Sequence, residues 1–360
     1  MSAPILIMAG GTGGHVFPAL AVARELRQHD EEIVWLGTRR GIEAELIPAE
    51  GIPLEVTRVA GLRGKGWLTW LLAPFKLLVA LFDAIGVVRR RRPKVVLGMG
   101  GFASGPGGLA AWLLRKPLVI HEQNSVAGLT NRLLAGFARE VLEAFPGSFS
   151  ASVRTRLVGN PVRPDIAALP APAERLGDRS GSLRILVLGG SLGAKALNET
   201  VPQAIALLDE NVRPEILHQA GKATIDVARA AYADSDVDAT IEPFIADVAA
   251  AYAWADIAIC RAGALTVSEL AAAGLGAILI PYPSAVDDHQ TTNARYLVDA
   301  EAAVLMPQSE LTPAKMANEI RRCIDDRSLV LARAQRAREL ARPAATREVA
   351  DLCLALGEAA

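Results

Sequence analysis

The sequence predicts an α/β protein made of two doubly wound, parallel-sheet domains. The first observation is a repeat: an apolar run, a glycine-rich turn and a helical pattern occur at residues 5–28 and again, half the chain later, at 185–208. The second is that strand-like and helix-like segments alternate in both halves, as parallel strands with crossover helices require. The third is length, because 360 residues suffice for two domains of ordinary size.

The first half contains a strand pattern at residues 5–8 and three more further on, and the second half contains one at 185–188 and four more. Between the halves, residues 164–182 are rich in Pro, Ala, Gly and Ser and carry no strand pattern, so we interpret them as a linker. The remaining patterns are EIVWLG (32–37), KVVLGMG (94–100), PLVIHEQN (117–124), EILHQAG (215–221), ADIAIC (255–260), GAILIP (276–281) and AAVLMP (302–307).

Composition excludes several classes of protein. Hydrophobic residues make up 51% of the chain and charged residues 21%, which excludes a disordered chain. The net charge of −1 gives no reason to expect nucleic-acid binding. Cys260, Cys323 and Cys353 are too few and too far apart for a disulfide framework or a zinc motif, so we expect a reducing compartment. Because no Lys or Arg precedes Ile5, the N-terminal stretch reads as a strand and not as an export signal.

The two glycine-rich turns indicate phosphate binding, since a turn between a strand and a helix exposes backbone N–H groups at the helix N-terminus. The alternative is an ordinary tight turn without a ligand. The dinucleotide fingerprint G-x-G-x-x-G fails at Val16, although Arg39 and Arg40 after the second strand leave NADP open. The second turn is not a Walker A sequence, because Ala194 stands between the last glycine and Lys195.

Three segments of the first half are candidates for chemistry. His15 lies at the start of the first helix, where it is either a general base or a histidine bound to backbone. A second glycine-rich stretch, GMGGFASGPGG (98–108), lets a bulky substrate approach the backbone closely. The segment HEQN (121–124) lies at the end of the next strand. Because the carboxyl ends of parallel strands share one edge, we expect these segments on the same rim of the first sheet.

The apolar segment 67–88 is long enough to cross a bilayer, but Lys76 and Asp83 within it argue against spanning. The remaining interpretations are a buried crossover helix and a helix at the membrane surface. Aromatic side chains next to basic ones favour contact with an anionic membrane surface, with part of the helix packed on the sheet. The aromatic residues are Trp67, Trp70, Phe75 and Phe82, and the basic ones are Arg63, Lys65, Lys76 and the run 89–92.

In the second half, RAGALTVSELAAAG (261–274) predicts a helix over Ala264–Ala273, bounded by Gly263 and Gly274. Its N-terminus offers donors to a diphosphate, and Glu269 can accept two hydrogen bonds from a ribose diol. The alternative for Glu269 is a solvated helix carboxylate.

Seven motifs occur in the order found in glycosyltransferase family 28, and the chain resembles the members that act in peptidoglycan synthesis. They are GGTGGHVFPALAVA, GGFASGPGG, HEQN, GNPVR, GGSLGA, RAGALTVSELAAAG and DHQTTNA. The resemblance implies the GT-B architecture, two Rossmann-like domains facing across a cleft. It implies an N-terminal domain (1–163) for acceptor and membrane, a donor domain (183–340) and a C-terminal helix (341–360) packing back on the first domain. It also implies inverting transfer of N-acetylglucosamine from UDP-N-acetylglucosamine to lipid I, forming lipid II.

The resemblance also assigns residues. The catalytic base is expected to be His15, with Glu122 as the alternative. The acceptor and the membrane are expected to meet Gly101, Phe102, Ser104, Trp67, Leu68, Trp70 and Leu71. The residues expected to bind UDP-N-acetylglucosamine are Thr12, Gly13, Gly14, Asn124, Arg163, Ser191, Ile245, Ala264, Leu265, Thr266, Val267, Ser268, Glu269 and Gln290.

The implied enzyme uses no cofactor and no metal and works as a peripheral protein on the cytoplasmic face of the plasma membrane. Its expected partners are UDP-N-acetylglucosamine, lipid I and an anionic membrane surface, with other wall-synthesis and division proteins left open and no nucleic acid. Three other functions stay open from the residues: an NADP-dependent oxidoreductase, a nucleotide-sugar-binding membrane adaptor, and a glycosyltransferase for another glycolipid or an antibiotic.

Overall fold

The computed structural model describes residues 3–39, 41–58, 73–190, 193–283 and 288–359. The chain forms two compact units, Met1–Val162 with Arg342–Ala360, and Arg163–Ala341. Each unit contains one parallel β-sheet. The predicted fold class, two doubly wound parallel-sheet α/β domains, is therefore confirmed, while the domain limits given above stay a prediction.

Strands and helices alternate along most of the chain. The strands are β1 (Ile5–Met8), β2 (Ile33–Gly37), β3 (Leu54–Val56), β4 (Val95–Gly98), β5 (Leu118–Glu122), β6 (Glu140–Glu143), β7 (Arg156–Leu157), β8 (Arg184–Leu188), β9 (Glu215–Gln219), β10 (Thr240–Glu242), β11 (Ile257–Cys260), β12 (Gly276–Leu279) and β13 (Ala303–Leu305). The helices are α1 (Gly13–Gln28), α2 (Glu43–Ala49), α3 (Ala73–Arg91), α4 (Ser104–Leu113), α5 (Leu129–Leu134), α6 (Pro164–Ala167), α7 (Pro172–Leu176), α8 (Lys195–Ala206), α9 (Ile225–Asp234), α10 (Val248–Trp254), α11 (Ala264–Ala273), α12 (His289–Val298), α13 (Pro313–Asp325), α14 (Arg327–Glu339) and α15 (Ala345–Glu358). Single 3₁₀ turns occur at Glu210–Val212 and Gln308–Glu310.

The first sheet has seven parallel strands in the order β3-β2-β1-β4-β5-β6-β7. Every residue of β1 is buried, as expected where helices cover both faces of a parallel sheet. Ile5 and Ile7 belong to one hydrophobic cluster, and Leu6 and Met8 belong to another. The two clusters lie on opposite faces because successive side chains of a strand alternate.

The C-terminal helix α15 is part of the core of the first unit. Val349, Ala350 and Cys353 are fully buried and share a cluster with Val16 and Ala19 of α1. The last residues of the chain therefore stabilise the same face of the first sheet as the helix that follows the first glycine-rich turn.

The second sheet has six parallel strands in the order β10-β9-β8-β11-β12-β13. The predicted helix after β11 is confirmed, since α11 runs from Ala264 to Ala273. Gly263 caps it in an extended conformation, and Gly274 ends it with φ of 61°, in the left-handed region that favours glycine. Strands β11 and β12, on either side of α11 in the chain, are completely buried.

The predicted linker, 164–182, carries two short helices, α6 and α7, and both begin with proline, which fits the first helical position. Arg175 donates hydrogen bonds to the carbonyl oxygens of Tyr252, Ala273 and Gly274 at 3.2, 2.7 and 2.8 Å. These are carbonyls that helix C-termini leave without intrahelical donors. The interpretation as a linker stays a prediction, but this stretch is packed on the second unit. Within the part of the chain that the structure describes, no helix has the length and apolarity needed to cross a membrane.

Candidate active site

Three of the sequence motifs meet at the carboxyl edge of the first sheet, as predicted. Strand β4 lies between β1 and β5, with Met8 opposite Gly98 and Gly98 opposite Ile120. The first glycine-rich turn follows β1, the segment GMGG follows β4, and HEQN spans the end of β5. The edge where ligands of doubly wound sheets bind therefore carries the glycine loops and the candidate base.

His15 is the third residue of α1 and is partly exposed at this edge. Its Nδ1 lies 2.8 Å from Oε1 of Gln123. Gly100 adjoins the ring, because a Cβ built there would lie 2.6 Å from Nδ1 of His15, and its φ of 91° also favours glycine. The GMGG segment thus makes room for the histidine ring, a role that sequence reasoning missed.

Glu122, the alternative base, is buried and bound on both carboxylate oxygens. Oε1 accepts from the backbone N–H and the side-chain amide of Asn124 at 3.0 and 3.2 Å. Oε2 accepts from the N–H of Gly128 at 3.1 Å and the amide of Asn131 at 2.8 Å. This carboxylate shapes the loop after β5, so the contacts favour His15 over Glu122 as the base. The assignment itself stays a prediction.

The first glycine-rich turn is hydrogen-bonded to the carboxylate of Glu43, which the sequence analysis did not identify. Glu43 of α2 is fully buried, and its two oxygens accept from the backbone N–H groups of Gly11 and Thr38, each at 3.0 Å. The N–H of Gly11 is therefore committed to the protein. Thr12 caps α1 in an extended conformation, and Thr12 and Gly14 are exposed. The N–H groups of His15 and Val16 donate to the carbonyl oxygen of Thr12 at 3.2 Å, so the amides of Gly13 and Gly14 at the start of α1 are what remains for a ligand.

The residues of GMGGFASGPGG (98–108) that are predicted to contact the acceptor substrate differ in exposure. Phe102 is 49% exposed, whereas Ser104 is fully buried. The hydroxyl of Ser104 lies 2.7 Å from the carbonyl oxygen of Gly100 and 3.1 Å from that of Met8, so it stabilises the loop. Gly101, with φ of 87°, approaches the backbone of Gly10 so closely that no side chain fits there. Acceptor contact by these residues stays a prediction.

In the second unit, the first turn of α11 presents the predicted diphosphate donors. Leu265, Thr266 and Ser268 are partly exposed, and Ala264 is buried. The side chain of Val267 is completely buried and its N–H donates to the carbonyl oxygen of Gly263, so a donor contact by Val267 stays a prediction. Val267 therefore packs against the core, and the hydroxyl of Ser268 donates to the carbonyl of Ala264 at 3.0 Å.

Glu269 is buried on the same helix and is not the solvated carboxylate of the alternative interpretation. The hydroxyl of Tyr252 donates to Oε2 at 3.2 Å, and Nε of Arg163 lies 3.7 Å from Oε1. Among the described residues, no hydrogen-bond donor reaches Oε1. Burial raises the pKa of Glu269 to about 7, with Arg163 acting in the opposite direction. Buried polar atoms in proteins normally have a hydrogen-bond partner, and a ribose hydroxyl can donate the hydrogen bond that Oε1 lacks.

The other predicted donor residues of the second unit are Gln290 and Ile245. Oε1 of Gln290 accepts from the backbone N–H of Tyr282 at 2.9 Å, which leaves its amide group to donate. Ile245 is buried, next to an exposed Phe244. Ser191 and the membrane residues Trp67, Leu68, Trp70 and Leu71 lie outside the described residues. In the first unit, Asn124 is held against Glu122, as described above.

The fold and the site define a two-domain α/β protein with glycine-containing loops at the carboxyl edges of two parallel sheets. Residues 5–143 match the glycosyltransferase family 28 N-terminal domain, and residues 184–350 match the family's C-terminal domain. The chain belongs to glycosyltransferase family 28, as its motifs predicted, and is a glycosyltransferase.

Named relatives cover nearly the whole chain. Two are called UDP-N-acetylglucosamine--N-acetylmuramyl-(pentapeptide) pyrophosphoryl-undecaprenol N-acetylglucosamine transferase. The one from Marinobacter nauticus is 57% identical over 97% of this chain and 96% of its own length. The one from Alkalilimnicola ehrlichii is 58% identical over 98% of this chain and 99% of its own length.

Solved structures agree on the fold. The crystal structure of Acinetobacter baumannii MurG is 43% identical, with a TM-score of 0.85 over 98% of this chain and 99% of that one. The calicheamicin glycosyltransferase CalG4 has a TM-score of 0.70 over the full length of both chains at 17% identity, and this likeness concerns the fold alone.

Proposed function

We propose that this chain transfers N-acetylglucosamine from UDP-N-acetylglucosamine to undecaprenyl-diphospho-N-acetylmuramoyl-pentapeptide, lipid I, with inversion at the anomeric carbon, giving lipid II. The names of the relatives support the two substrates, and their identity of 57% and 58% extends over nearly the whole chain. The observation that carries the proposal is Glu269, a buried carboxylate whose Oε1 accepts no hydrogen bond from the described residues.

On the donor side, Glu269 accepts hydrogen bonds from the ribose hydroxyls, and the backbone of Ile245 meets the uracil. The first turn of α11 binds the diphosphate through amide N–H groups and the positive end of its helix dipole. Arg163, close to Glu269, adds a positive charge near the diphosphate, and Ser191 joins it there. Gln290 binds hydroxyls of the sugar through its amide group. Thr12, Gly13, Gly14 and Asn124 complete the donor contacts from the first unit.

In the reaction, the acceptor hydroxyl oxygen forms a bond to the anomeric carbon while the bond from that carbon to the UDP oxygen breaks. The hydroxyl proton passes to His15, which acts as general base. The electron pair of the broken bond leaves with UDP, whose negative charge is stabilised by helix N-termini and Arg163. These groups provide the electrostatic stabilisation without a metal.

Sugar transfer to a synthetic lipid I analogue tests this proposal. With radiolabelled UDP-N-acetylglucosamine, the label is expected in the lipid product and UDP is expected as the second product. A protein that binds the nucleotide sugar but never labels the lipid would be an adaptor, contrary to the proposal. In equilibrium binding, the transferase is expected to bind UDP and to ignore NADPH, which an oxidoreductase would bind.

Glu269 makes donor binding depend on pH. Because the pKa of Glu269 is about 7 in the folded protein, above its ordinary value of 4.5, the ionised form dominates only above about pH 7. A carboxylate accepts stronger hydrogen bonds than a carboxylic acid. The Kd for UDP is therefore expected to rise as pH falls below 7, by at most about tenfold per unit. Calorimetric titration of the wild type and E269Q from pH 8 to 5.5 checks this, because titration of UDP itself is common to both. Parallel pH dependences in the two proteins would contradict it.

The same pKa shift gives a stability prediction with a definite sign. Because the folded-state pKa of Glu269 is raised, the folded protein binds a proton between pH 4.5 and about 7 that the unfolded chain does not. The stabilisation from this group is therefore largest below pH 4.5 and is lost as pH rises through 7. The difference in unfolding free energy between E269Q and the wild type is expected to grow over this interval in favour of E269Q. A difference independent of pH, measured by urea unfolding, would be the contrary result.

We propose further that the first unit docks on the cytoplasmic face of the plasma membrane through α3. Phe75, Leu78 and Phe82 are 68%, 53% and 70% exposed and lie on one face of the helix, while Ala84 and Val88 on another face are buried. Lys76 is exposed beside them.

Neighbouring helices carry further exposed apolar side chains. Helix α4 packs against α3, and α5 packs against α4. Trp112 and Leu113 of α4 and Leu129 and Leu133 of α5 are between 47% and 63% exposed. Of the predicted basic flank, Arg90 and Arg91 form ion pairs with Glu55 at 2.5 and 2.8 Å, which reduces their attraction for lipid.

The double variant F75S/F82S is expected to bind anionic vesicles at least about tenfold more weakly, because each phenylalanine would bury apolar surface in the interface. Its affinity for UDP is expected to be unchanged. The matched control is L207S, which removes a 53% exposed apolar side chain from the second unit. Vesicle flotation measures the binding, and retention of F75S/F82S at the wild-type level would contradict the proposal. A variant with polar residues at Trp67, Leu68, Trp70 and Leu71 tests the adjoining segment in the same assay.

A further inference from the structure

A chain of hydrogen bonds connects His15 with the interior of the first unit. Nδ1 of His15 lies 2.8 Å from Oε1 of Gln123. Nε2 of Gln123 lies 3.1 Å from Nδ1 of His121, and Nε2 of His121 lies 2.9 Å from the carbonyl oxygen of Gly159. Each imidazole nitrogen and each amide atom in this series of hydrogen bonds acts either as a donor or as an acceptor. At one end of the series the partner is a carbonyl oxygen, so the donor and acceptor roles are known there.

The residue at that end is Gly159. Its carbonyl oxygen can only accept, so Nε2 of His121 carries a hydrogen. His121 is completely buried, and burial lowers its pKa to about 4. Its imidazole is therefore neutral at physiological pH, and Nδ1 holds a lone pair.

The orientation of the Gln123 amide follows. Its Nε2 faces two acceptors, Nδ1 of His121 at 3.1 Å and the carbonyl oxygen of His121 at 3.2 Å. The reverse orientation would direct the amide oxygen at both of them, with no hydrogen between. Oε1 consequently faces His15, and because this oxygen can only accept, Nδ1 of His15 carries the hydrogen.

We propose that Gln123 and His121 are positioning residues that hold His15 in the tautomer with hydrogen on Nδ1 and the lone pair on Nε2. This inference rests on the proposed function in one respect, because the lone pair on Nε2 is what accepts the proton of the acceptor hydroxyl. The opposite tautomer would present an N–H to that hydroxyl and could not take its proton. Neither Gln123 nor His121 is assigned a contact with substrate.

Neighbouring residues hold this series of hydrogen bonds in place. The side-chain amide of Asn160 donates to the backbone carbonyl of Gln123 at 3.0 Å. Gly159 adopts φ of 88°, and a Cβ there would collide with Arg342. The motif GNPVR thus contributes its first two residues to the position of Gln123 and the anchoring carbonyl, and Gly100 leaves space for the His15 ring. Through these contacts, the motifs HEQN and GNPVR both contribute to the orientation of His15.

Nitrogen-15 NMR of histidine-labelled protein tests the tautomer without substrates. The chain contains five histidines, so the His15 signals can be assigned by their loss in H15A. In the wild type, Nε2 of His15 is expected at the shift of an unprotonated nitrogen and Nδ1 at that of a protonated one. In Q123M, which keeps the side-chain length but removes both hydrogen bonds, the mixed tautomers of free histidine are expected. Because the measurement uses the substrate-free protein, its outcome is independent of whether the proposed reaction is correct.

Kinetics then distinguish positioning from a general structural role. In Q123M, kcat is expected to fall by about 10- to 100-fold, within what a general base contributes, while the donor KM stays within about twofold. In the H15A background the same substitution is expected to have no further effect, because it acts only through His15. Should Q123M not fold, the NMR measurement on the wild type still decides the proposal, because the tautomer of His15 is read there without any substitution at Gln123. A wild-type His15 with hydrogen on Nε2 would overturn the proposal, as would an equal loss of kcat in both backgrounds.

Discussion

Replacing His15 with alanine is expected to reduce kcat by about 10²- to 10⁴-fold, the contribution of a positioned general base. The Kd for UDP is expected to stay within about threefold of the wild type, because a base that acts in the transition state adds little to ground-state binding. Steady-state kinetics with a lipid I analogue and calorimetry with UDP measure the two quantities separately.

The control for this variant is H29A. His29 is exposed and caps the opposite end of the same helix, α1, so it carries the same substitution far from the carboxyl edge of the sheet. Its kcat and Kd are expected to equal those of the wild type. A near-normal kcat in H15A would remove His15 from the role of base and would return attention to Glu122.

Replacing Glu269 with glutamine is expected to weaken UDP binding by at least about tenfold, since hydrogen bonds to a charged acceptor contribute roughly 1.5–3 kcal/mol each. At saturating donor, kcat is expected to change little, because the ribose lies away from the reacting bond. The folded protein is expected to be as stable as the wild type or more so at pH 8, because the substitution removes a buried charge.

Glu319 provides a matched control for Glu269. It is also a buried glutamate of the second unit, but it is ion-paired with Arg333 at 2.8 Å and with Arg322 at 2.9 Å. E319Q leaves the buried Arg333 without a counter-charge, which costs about 3–5 kcal/mol of stability. We therefore expect E319Q to lower Tm without changing the Kd for UDP, and E269Q to raise the Kd without lowering Tm. Equal effects of the two variants on the Kd would contradict the assignment of Glu269 to the ribose.

The sequence was sufficient for the parts of the molecule that local patterns determine. Glycines before and after the segment 264–273 marked the ends of α11, because an extended cap and a left-handed end both favour them. The rim formed by the first glycine-rich turn, GMGG and HEQN followed from parallel topology alone, because carboxyl ends of neighbouring parallel strands must adjoin.

The contacts that depend on distant residues could not be predicted in the same way. Gln123 and His15 are 108 positions apart, so no local pattern joins them, although each lies within one of the motifs. Glu43 lies in an ordinary helical pattern, and only the fold directs its carboxylate under the first glycine-rich turn. The partners of Arg90 and Arg91 were also invisible in the sequence, where the two residues appeared as part of a basic run facing lipid.

A crystal structure with UDP tests the central claim, that the second unit holds the donor nucleotide on α11. We expect the ribose hydroxyls within hydrogen-bonding distance of the Glu269 carboxylate and the diphosphate at the amides of Leu265 and Thr266. Electron density for the nucleotide at any other place, with the carboxylate of Glu269 still facing Tyr252 and Arg163 alone, would contradict the account.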